Sequence, residues 1–331
     1  MSSTQPATDA SGATDSTAAT GRILGGYLVP NQPHPLLAPE QSPGWQSLHD
    51  SYARLRAEIE ASDADLLLLF STRWVSIIGH QIQADPEPHF WVVDEDFHEL
   101  GTLRYQLRMD AAFAETYREC ANARGLHART VAYQGFPIDV GSITALKLLN
   151  PNNRIPACIV SCNVYSDRQE TLVLGKAALD AVKKSGRKAI VVGVSALSNR
   201  MFTDYIDPAT DRIHSLKDDE WNRKLLELFA AGRLEDVSQL SREFSRQANG
   251  DSKMKAIWWL AAAMGQNNDY RGTVFDYQPV YGTGAALVGL LPYPGAGGGL
   301  EYDEDDSGFF HGDRNVIATA EASAAPATLE P

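Results

Sequence analysis

The strongest constraint on the fold of this chain is an alternation of short, continuously apolar runs with segments of helical periodicity. The apolar runs are rich in Leu, Ile and Val, which is typical of strands buried on both faces of a sheet. Between them, apolar residues recur at helical spacing, as in 45–62, where Leu48, Tyr52, Leu55 and Ile59 share one face. This alternation predicts an α/β fold: a single three-layer domain with a mixed, largely parallel central sheet flanked by helices.

The pattern can be divided into individual elements. The predicted strands are 23–30, 66–70, 128–134, 155–163, 188–197 and an antiparallel pair within 273–291. The predicted helices are 45–62, 111–124, 141–149, about 168–185, 218–232, 234–247 and 253–265.

Three parts of the chain differ in composition. Residues 1–21, rich in Ser, Thr and Ala, are predicted to form a disordered leader, and 293–331 a disordered acidic tail, on either side of one domain at 22–292. The net charge of −13 is concentrated in the tail, which has eight acidic residues against one arginine. The leader adds two acidic residues, so the domain carries −4. An acidic domain without a basic stripe argues against nucleic-acid binding.

The cysteines and the amino terminus indicate the compartment. A period of two places Cys158 and Cys162 on the same face of one predicted strand. Buried free thiols in a reducing cytosol are the preferred interpretation, and a metal or redox pair is the alternative. Residues 1–21 lack the basic and apolar blocks of a secretory signal, and no apolar run is long enough to span a membrane. We therefore expect a cytoplasmic protein that does not bind membranes.

Familiar catalytic and metal-binding patterns are missing. None of the eight histidines shows the HxH, HxxxH or HExxH spacing that favours a metal. The glycines of 282–286 lack the setting of a phosphate loop and are assigned to a hairpin. Ser195 and Ser198 lie at the end of the apolar run that begins at 188, but GVSAL (193–197) lacks the second glycine of a nucleophile elbow. His34, His80 and His89 follow two strand ends and are better functional candidates than the other histidines.

Six motifs occur in a fixed order over residues 22–291. They are GGYLVPNQPHP (25–35), DLLLLFSTRW (65–74), HELGTLRYQLRMD (98–110), QGFPIDVGSITALKLLNP (134–151), RKAIVVGVSALSNRMF (187–202) and VYGTGAALV (280–288). In this order and spacing they resemble the class III extradiol ring-cleaving dioxygenases, in the branch that contains the 2-aminophenol 1,6-dioxygenases.

The resemblance implies a site for one ferrous ion, held by two histidines and a glutamate, with a further histidine as acid/base. At the matching positions this chain has Asn31 and Arg73 for the iron histidines, Asn199 for the acid/base histidine and Asp251 near the glutamate. An amide is a weak neutral ligand, and a guanidinium is always protonated and has no lone pair. A cation about 4 Å from Fe²⁺ would be repelled by several kcal/mol. The resemblance therefore implies that this chain binds no metal and no other cofactor.

The resemblance to this branch also implies an assembly of two homologous subunits. A β subunit keeps the iron site, and an α subunit has lost it. Four segments of this chain are similar to the α type: STRW (71–74), DEDFHELG (94–101), GFPID (135–139) and IDPATDRIHSLKDDEWN (206–222). The leading hypothesis is a non-catalytic α-type subunit of a hetero-oligomer, with Fe(II) in a β-type partner and an aromatic small molecule as a candidate ligand.

Two other functions are compatible with the same residues. An active dioxygenase could use His34 and His80 as rebuilt ligands, with Asp251 or Glu87 as the carboxylate. A stand-alone binding protein could keep an aromatic pocket without chemistry. Its candidate lining residues are Trp74, Phe90, Trp91, Tyr133 and Phe136.

Arg73 allows two arrangements. If Asp251 occupies the carboxylate position, the guanidinium could lie where iron would bind and form a bidentate pair with it. Otherwise Arg73 faces solvent or a partner chain. In the first arrangement Arg73→His alone would not restore activity, and it would leave a buried carboxylate without its partner.

Overall fold

A computed structural model describes residues 20–200 and 205–295. The leader predicted at 1–21 and the tail predicted at 293–331 lie outside the described residues, apart from 20–21 and 293–295. The described helices are α1 (His34–Leu37), α2 (Pro43–Ala61), α3 (Ala111–Ala123), α4 (Val140–Leu149), α5 (Arg168–Ser185), α6 (Leu216–Ala230), α7 (Leu234–Ala248) and α8 (Lys255–Ala263). Short 3₁₀ helices lie at Pro39–Gln41, His98–Leu100, Pro208–Thr210 and Asp251–Met254. The described strands are β1 (Arg22–Val29), β2 (Leu66–Ser76), β3 (His80–Gln83), β4 (His89–Val93), β5 (Thr102–Gln106), β6 (Ala128–Val131), β7 (Ala157–Asn163), β8 (Lys188–Val194), β9 (Tyr270–Val280) and β10 (Thr283–Pro292).

Eight of the strands form one sheet in the order β6-β3-β7-β2-β8-β1-β10-β9. Its centre is parallel, because β1 pairs with β8, β8 with β2, and β2 with β7 in that sense. At one end β10 and β9 are antiparallel, and at the other β3 is antiparallel to β7 but parallel to β6. The strands β4 and β5 form a separate antiparallel hairpin. The predicted mixed, largely parallel sheet and its terminal antiparallel pair are confirmed.

Side chains of β2 alternate between two cores. Leu67 and Leu69 pack in a core with α2 and α4 on one face of the sheet. Leu68 and Phe70 pack in a second core with α3, α5 and α8 on the other face, which α6 and α7 extend. Because helices cover both faces, the central strands are apolar throughout instead of alternating with polar residues. The predicted three-layer arrangement is confirmed.

The helices are short. The longest are α2 with 19 residues and α5 with 18, and both carry charged side chains along their length. The predicted helix at 168–185 matches α5, which begins where the Asp167 carboxylate accepts the Glu170 N–H and ends at Gly186 in the left-handed conformation. Within residues 20–200 and 205–295, no helix is long and apolar enough to cross a membrane.

The two cysteines of β7 lie on one face, as predicted. Cys158 and Cys162 are both buried in the core that contains α5 and α8, and both are free thiols. Burial raises the pKa of Cys162 to about 11. Both are therefore protonated, buried apolar side chains, in agreement with the preferred interpretation of the sequence.

Several elements around the site differ from the predictions. Strand β2 continues past Phe70 to Ser76, and the short strands β3, β4 and β5 were not predicted. Strand β3 has only four residues, and most side chains of β4 are exposed. Neither strand therefore has the long apolar run that marks a buried strand in sequence.

Candidate functional site

A cleft of about 930 Å³ lies at the carboxyl ends of β1, β2 and β8. Ligands in open α/β sheets bind outside this edge, where neighbouring strands end together. All four positions inferred from the resemblance line the cleft: Asn31, Arg73, Asn199 and Asp251. The structure therefore brings together residues that lie up to 220 positions apart in the chain.

Strand β2 leaves its ladder with β7 at the cleft. The register moves from Ser71 opposite Ser161 to Val75 opposite Cys162, so residues 72–74 have no partners in β7. Such a bulge bends the strand and changes the direction of its side chains. Within the bulge, Thr72 and its neighbour Arg73 therefore have different partners. The Thr72 hydroxyl donates to Asp251, whereas the Arg73 guanidinium donates to Asp94 and Asp96.

Backbone pairing brings Asp251 to the cleft. The segment after β8 runs antiparallel to the segment after α7, because Asn199 N–H donates to Asn249 O and Asp251 N–H donates to Leu197 O, each at 2.9 Å. On the opposite side of that segment, Leu197 N–H donates to Gly284 O of β10 at 2.9 Å. Asp251 and Asn199 are therefore held beside each other by main-chain hydrogen bonds.

The Asp251 carboxylate accepts hydrogen bonds from four side chains, which belong to three segments of the chain. Its Oδ2 accepts from Asn31 Nδ2 at 3.0 Å, Thr72 Oγ1 at 2.7 Å and Ser195 Oγ at 2.7 Å. Its Oδ1 accepts from Asn199 Nδ2 at 2.9 Å. A carboxylate this well hydrogen-bonded can be buried, and Asp251 is only 6% exposed.

The chain leaves Asp251 through an unusual turn. Ser252, Lys253 and Met254 have φ values of 45°, 58° and 64°, three consecutive non-glycine residues in the left-handed region. This conformation costs about 1–2 kcal/mol per residue. Tertiary contacts oppose the cost, since Met254 is buried and the buried Lys255 ammonium donates to backbone carbonyls of the loop after β7. The turn explains why α8 begins at Lys255, two residues later than predicted.

Arg73 does not pair with Asp251, so the first of the two arrangements considered for it does not form. Its guanidinium donates to Asp94 Oδ2 at 2.6 Å and to Asp96 Oδ2 at 2.8 Å, in the turn between β4 and β5. The Asp94 side chain is 1% exposed. Burial acts to lower the pKa of Arg73, but the two carboxylates outweigh it and the pKa lies above its ordinary value. The guanidinium therefore fastens the hairpin and stays charged at the cleft.

Gly141 makes room for the Arg73 side chain. A Cβ at this position, in the first turn of α4, would lie 3.1 Å from Arg73 Cγ and 3.1 Å from the carbonyl oxygen of Asn31. Asp139 begins α4 by accepting the Ser142 N–H at 2.9 Å, and it also accepts from Ser71 Oγ at 2.7 Å. The start of this helix therefore packs directly against the bulge.

The two histidines of the rebuilt-site hypothesis lie in different surroundings. His34 packs edge-on against Trp45 of α2 and Phe97, with ring centroids 4.5 and 4.4 Å apart. His80 Nε2 contacts Glu170 Oε1 of α5 at 3.0 Å, in the helix layer on the opposite face of the sheet. In the described part of the chain, no three His, Cys, Asp or Glu side chains are grouped so that they could hold a metal ion. The structure does not form the rebuilt site.

Burial of His34 has a consequence for acid stability. Burial, assisted by the charge of Arg73, lowers the pKa of His34 from 6.5 to about 3. Between these values the unfolded chain binds a proton that the folded chain does not, so stability falls as the pH drops below 6.5, by about 1.4 kcal/mol per unit. As the pH falls from 6 to 4.5, we expect the free energy of unfolding to decrease by about 2 kcal/mol less in His34→Phe than in the wild type. Urea unfolding at the two pH values measures both decreases. Equal losses in the two proteins would contradict this.

The residues present do not fit a ferrous ion. Both amides turn an N–H towards Asp251, so they offer donors where a metal needs lone pairs. The Asp251 oxygens are already occupied by these donors and by hydroxyls.

Thr72 and Ser195 were not predicted as site residues, although both lie at strand ends, where ligands of open α/β sheets bind. Asp94 and Asp96 gave no such signal, since only the hairpin brings them to Arg73.

Two of the five aromatic candidates reach the cleft. Trp74 and Phe136 line it, with ring centroids 5.9 Å apart. Phe90, Trp91 and Tyr133 are not among its lining residues, and they are 50%, 48% and 75% exposed. That part of the predicted aromatic pocket was wrong.

Known proteins resemble this chain in fold or in sequence. A crystal structure of an uncharacterized protein from Escherichia coli K12 superposes with a TM-score of 0.55 at 13% identity, covering 81% of this chain and 99% of that one. The 2-aminophenol 1,6-dioxygenase alpha subunit of Pseudomonas sp. is 32% identical over 271 residues, which are 80% of this chain and 98% of the relative. The beta subunit of Pseudomonas sp. is 31% identical over 288 residues, 82% of this chain and 94% of the relative.

The family comparison covers most of the domain. The family described as the catalytic LigB subunit of aromatic ring-opening dioxygenase matches residues 29–288. This range includes Asn31, Arg73, Asn199 and Asp251. The chain therefore belongs to the LigB family of class III extradiol dioxygenases.

Proposed function

We propose that this chain is a non-catalytic, α-type subunit of an aromatic ring-opening dioxygenase of the 2-aminophenol or catechol class. In this role it supports a homologous β-type chain that holds Fe(II). The observation that carries the proposal is the hydrogen bonding of Asp251, whose oxygens accept from Asn31 and Asn199 at 3.0 and 2.9 Å. The side chains at three of the four family positions are thus joined to one another by hydrogen bonds.

Binding of iron would require this arrangement to be dismantled. Both amides would have to turn away from Asp251, and Thr72 and Ser195 would have to give up charge-assisted hydrogen bonds, each contributing about 1.5–3 kcal/mol. The fourth position, Arg73, keeps a positive charge at the same cleft. These costs favour a subunit without its own iron.

The comparisons support the partner in this proposal. The two Pseudomonas relatives carry the names of the alpha and beta subunits of one enzyme. Each relative matches this chain over nearly the whole of the relative's own length. A chain of this family that lacks iron can contribute by binding and stabilising a folded homologue. We place this assembly in the cytoplasm, in agreement with the three free cysteines.

The proposal is tested with the isolated full chain. After anaerobic incubation with Fe(II) and desalting, we expect far less than one iron per chain by metal analysis, and no oxygen uptake with 2-aminophenol or catechol. The matched sample is the same chain purified with its homologous partner, which is expected to hold iron and consume oxygen. Stoichiometric iron together with oxygen uptake in the isolated chain would overturn the proposal.

One observation favours a second candidate function. The cleft is large enough for an aromatic molecule and keeps the Trp74 and Phe136 rings on its wall. A stand-alone protein could bind such a molecule without chemistry. Calorimetric titration of the isolated chain with 2-aminophenol distinguishes the two functions, because a purely supporting subunit releases no binding heat.

A further inference from the structure

A group of exposed apolar side chains lies beside the cleft. Val75, Ile77 and Ile78, at the end of β2 and in the turn after it, are 58%, 64% and 63% exposed. Val164 and Tyr165, directly after β7, are 47% and 79% exposed. We call these five side chains the apolar patch. Single exposed apolar residues are normal on protein surfaces, but a contiguous group marks a binding surface.

Hydrogen bonds show that the two segments of the patch are adjacent. Val164 N–H donates to Ser76 O at 2.9 Å. The Asn163 amide donates to Gly79 O at 2.8 Å, and the Ser76 hydroxyl donates to the same carbonyl at 2.9 Å. The β2–β3 turn and the loop after β7 therefore form one continuous surface.

A buried lysine fixes the loop from beneath. The Lys255 side chain donates to the carbonyls of Asn163 and Val164, and Lys255 is only 3% exposed. The backbone beneath Val164 and Tyr165 is thus anchored to the core before anything binds to the patch. A surface ordered in advance loses less conformational entropy on association, so it binds more tightly for the same contacts.

The composition of the patch is that of an interface centre. Residues 75–80 and 163–166 contain no Asp, Glu, Lys or Arg, in a chain with a net charge of −13. The centres of protein–protein interfaces are likewise depleted in charged residues and enriched in aromatic ones. A small-molecule site would instead be expected inside the cleft, where polar groups can orient a ligand.

The area needed for a stable complex indicates how far the surface extends. A specific complex covers about 800 Å² on each partner, which is more than five side chains provide. Val75 also lines the cleft, and so does Val93 of β4, which is 37% exposed. Next to Val93, Phe90 and Trp91 are 50% and 48% exposed and stack with centroids 5.7 Å apart. Exposed apolar side chains thus occur on both β2 and β4, and each of these strands contributes a valine to the cleft.

We propose that the apolar patch, with the exposed side chains of β4, is the surface that binds the iron-bearing β-type chain. The partner then lies across the mouth of the cleft and closes it to solvent. The identity of the partner rests on the proposed function, whereas the position of the surface rests on the exposure, contiguity and charge of these residues.

The test uses the tagged full chain, expressed in its native host and purified under gentle conditions. Wild type is expected to retain a homologous chain that contains iron. The double variant Ile77→Asp/Ile78→Asp places two charges in the patch without touching the core, and we expect it to retain at least tenfold less partner. Leu216→Asp is the matched control, because Leu216 is 84% exposed at the start of α6, where an acidic residue is favourable. It is expected to retain the partner at the wild-type level.

Each outcome bears on a different statement. If wild type retains no homologous iron-bearing chain, the proposed function is wrong and this inference with it. If the double variant retains the partner as wild type does, the surface alone is wrong. If light scattering shows a dimer of the purified chain that the double variant dissociates, the patch binds a second copy and the inference is overturned. Tyr165→Ala provides a second variant should the double variant unfold.

Discussion

Replacement of Arg73 by alanine is expected to lower the free energy of unfolding by about 3 kcal/mol. The guanidinium is the charged partner of Asp94, whose side chain is 1% exposed, and its removal leaves a buried carboxylate without compensation. The remaining Asp94 oxygen only accepts the N–H groups of Asp96 and Phe97, which hold the turn of the hairpin. Urea unfolding followed by circular dichroism measures the loss.

Two controls show whether the buried pair is the cause. Asp96→Asn removes the other partner of Arg73, but Asp96 is 63% exposed, so we expect a loss below about 1 kcal/mol. Asp94→Asn in the Arg73→Ala background removes the uncompensated charge and should recover part of the stability. If Arg73→Ala costs no more than Asp96→Asn, or the double variant is no more stable than Arg73→Ala, the explanation fails. Arg73→His should also destabilise, and it should not create iron binding while both amides remain.

Asp251→Asn is expected to destabilise the chain by about 2–4 kcal/mol, although it changes the shape of the side chain very little. An amide replaces one accepting oxygen by a donor. The Asn31 and Asn199 amides donate to different oxygens of Asp251, so either orientation of the new amide places its NH₂ group against a donor. The hydroxyls of Thr72 and Ser195 can turn to the carbonyls of Val194 and Ala196, at 3.1 and 3.3 Å, but the opposed amide N–H groups are left without an acceptor. Urea unfolding gives the magnitude of the loss.

The local effect of the same substitution can be measured separately. Because Asp251 leads into the left-handed turn, its loss should release Ser252, Lys253 and Met254 from their strained conformation. Hydrogen exchange at these amides is expected to be faster in Asp251→Asn than in wild type. Asn199→Asp in the Asp251→Asn background restores one donor–acceptor pair and should recover part of the stability. If Asp251→Asn unfolds like wild type, the carboxylate is not the hydrogen-bond centre described above.

The hydrogen bonds of Asp251 show what holds the strand ends at the cleft together in this chain. A metal ion would join the ends of several strands by coordination. Here one carboxylate joins the end of β1, the bulge of β2 and the segment after β8 by hydrogen bonds. Arg73 adds the hairpin to this assembly through Asp94. The carboxylate position is therefore stabilised by a polar network that has its partners within the chain.

Much of the site was accessible through the family resemblance. It identified Asn31, Arg73, Asn199 and Asp251, and all four line one cleft. The partner of Arg73 was left open between Asp251 and the surface, because a guanidinium can reach any carboxylate within its length and only the fold decides which one is near. The turn at Ser252–Met254 was also missed, since no glycine there announces a left-handed backbone.

The sequence by itself determined the layers of this protein and the chemical groups at its strand ends. Buried strands and amphipathic helices follow from hydrophobic periodicity, which is a local property of the chain. Only the tertiary structure decided that Asp251 binds two amides and that Arg73 binds Asp94, because these contacts span up to 220 residues. The tertiary structure also decided which apolar side chains stay outside the core. The local sequence pattern is the same whether a valine or isoleucine at the end of a buried strand packs against a helix or stays exposed.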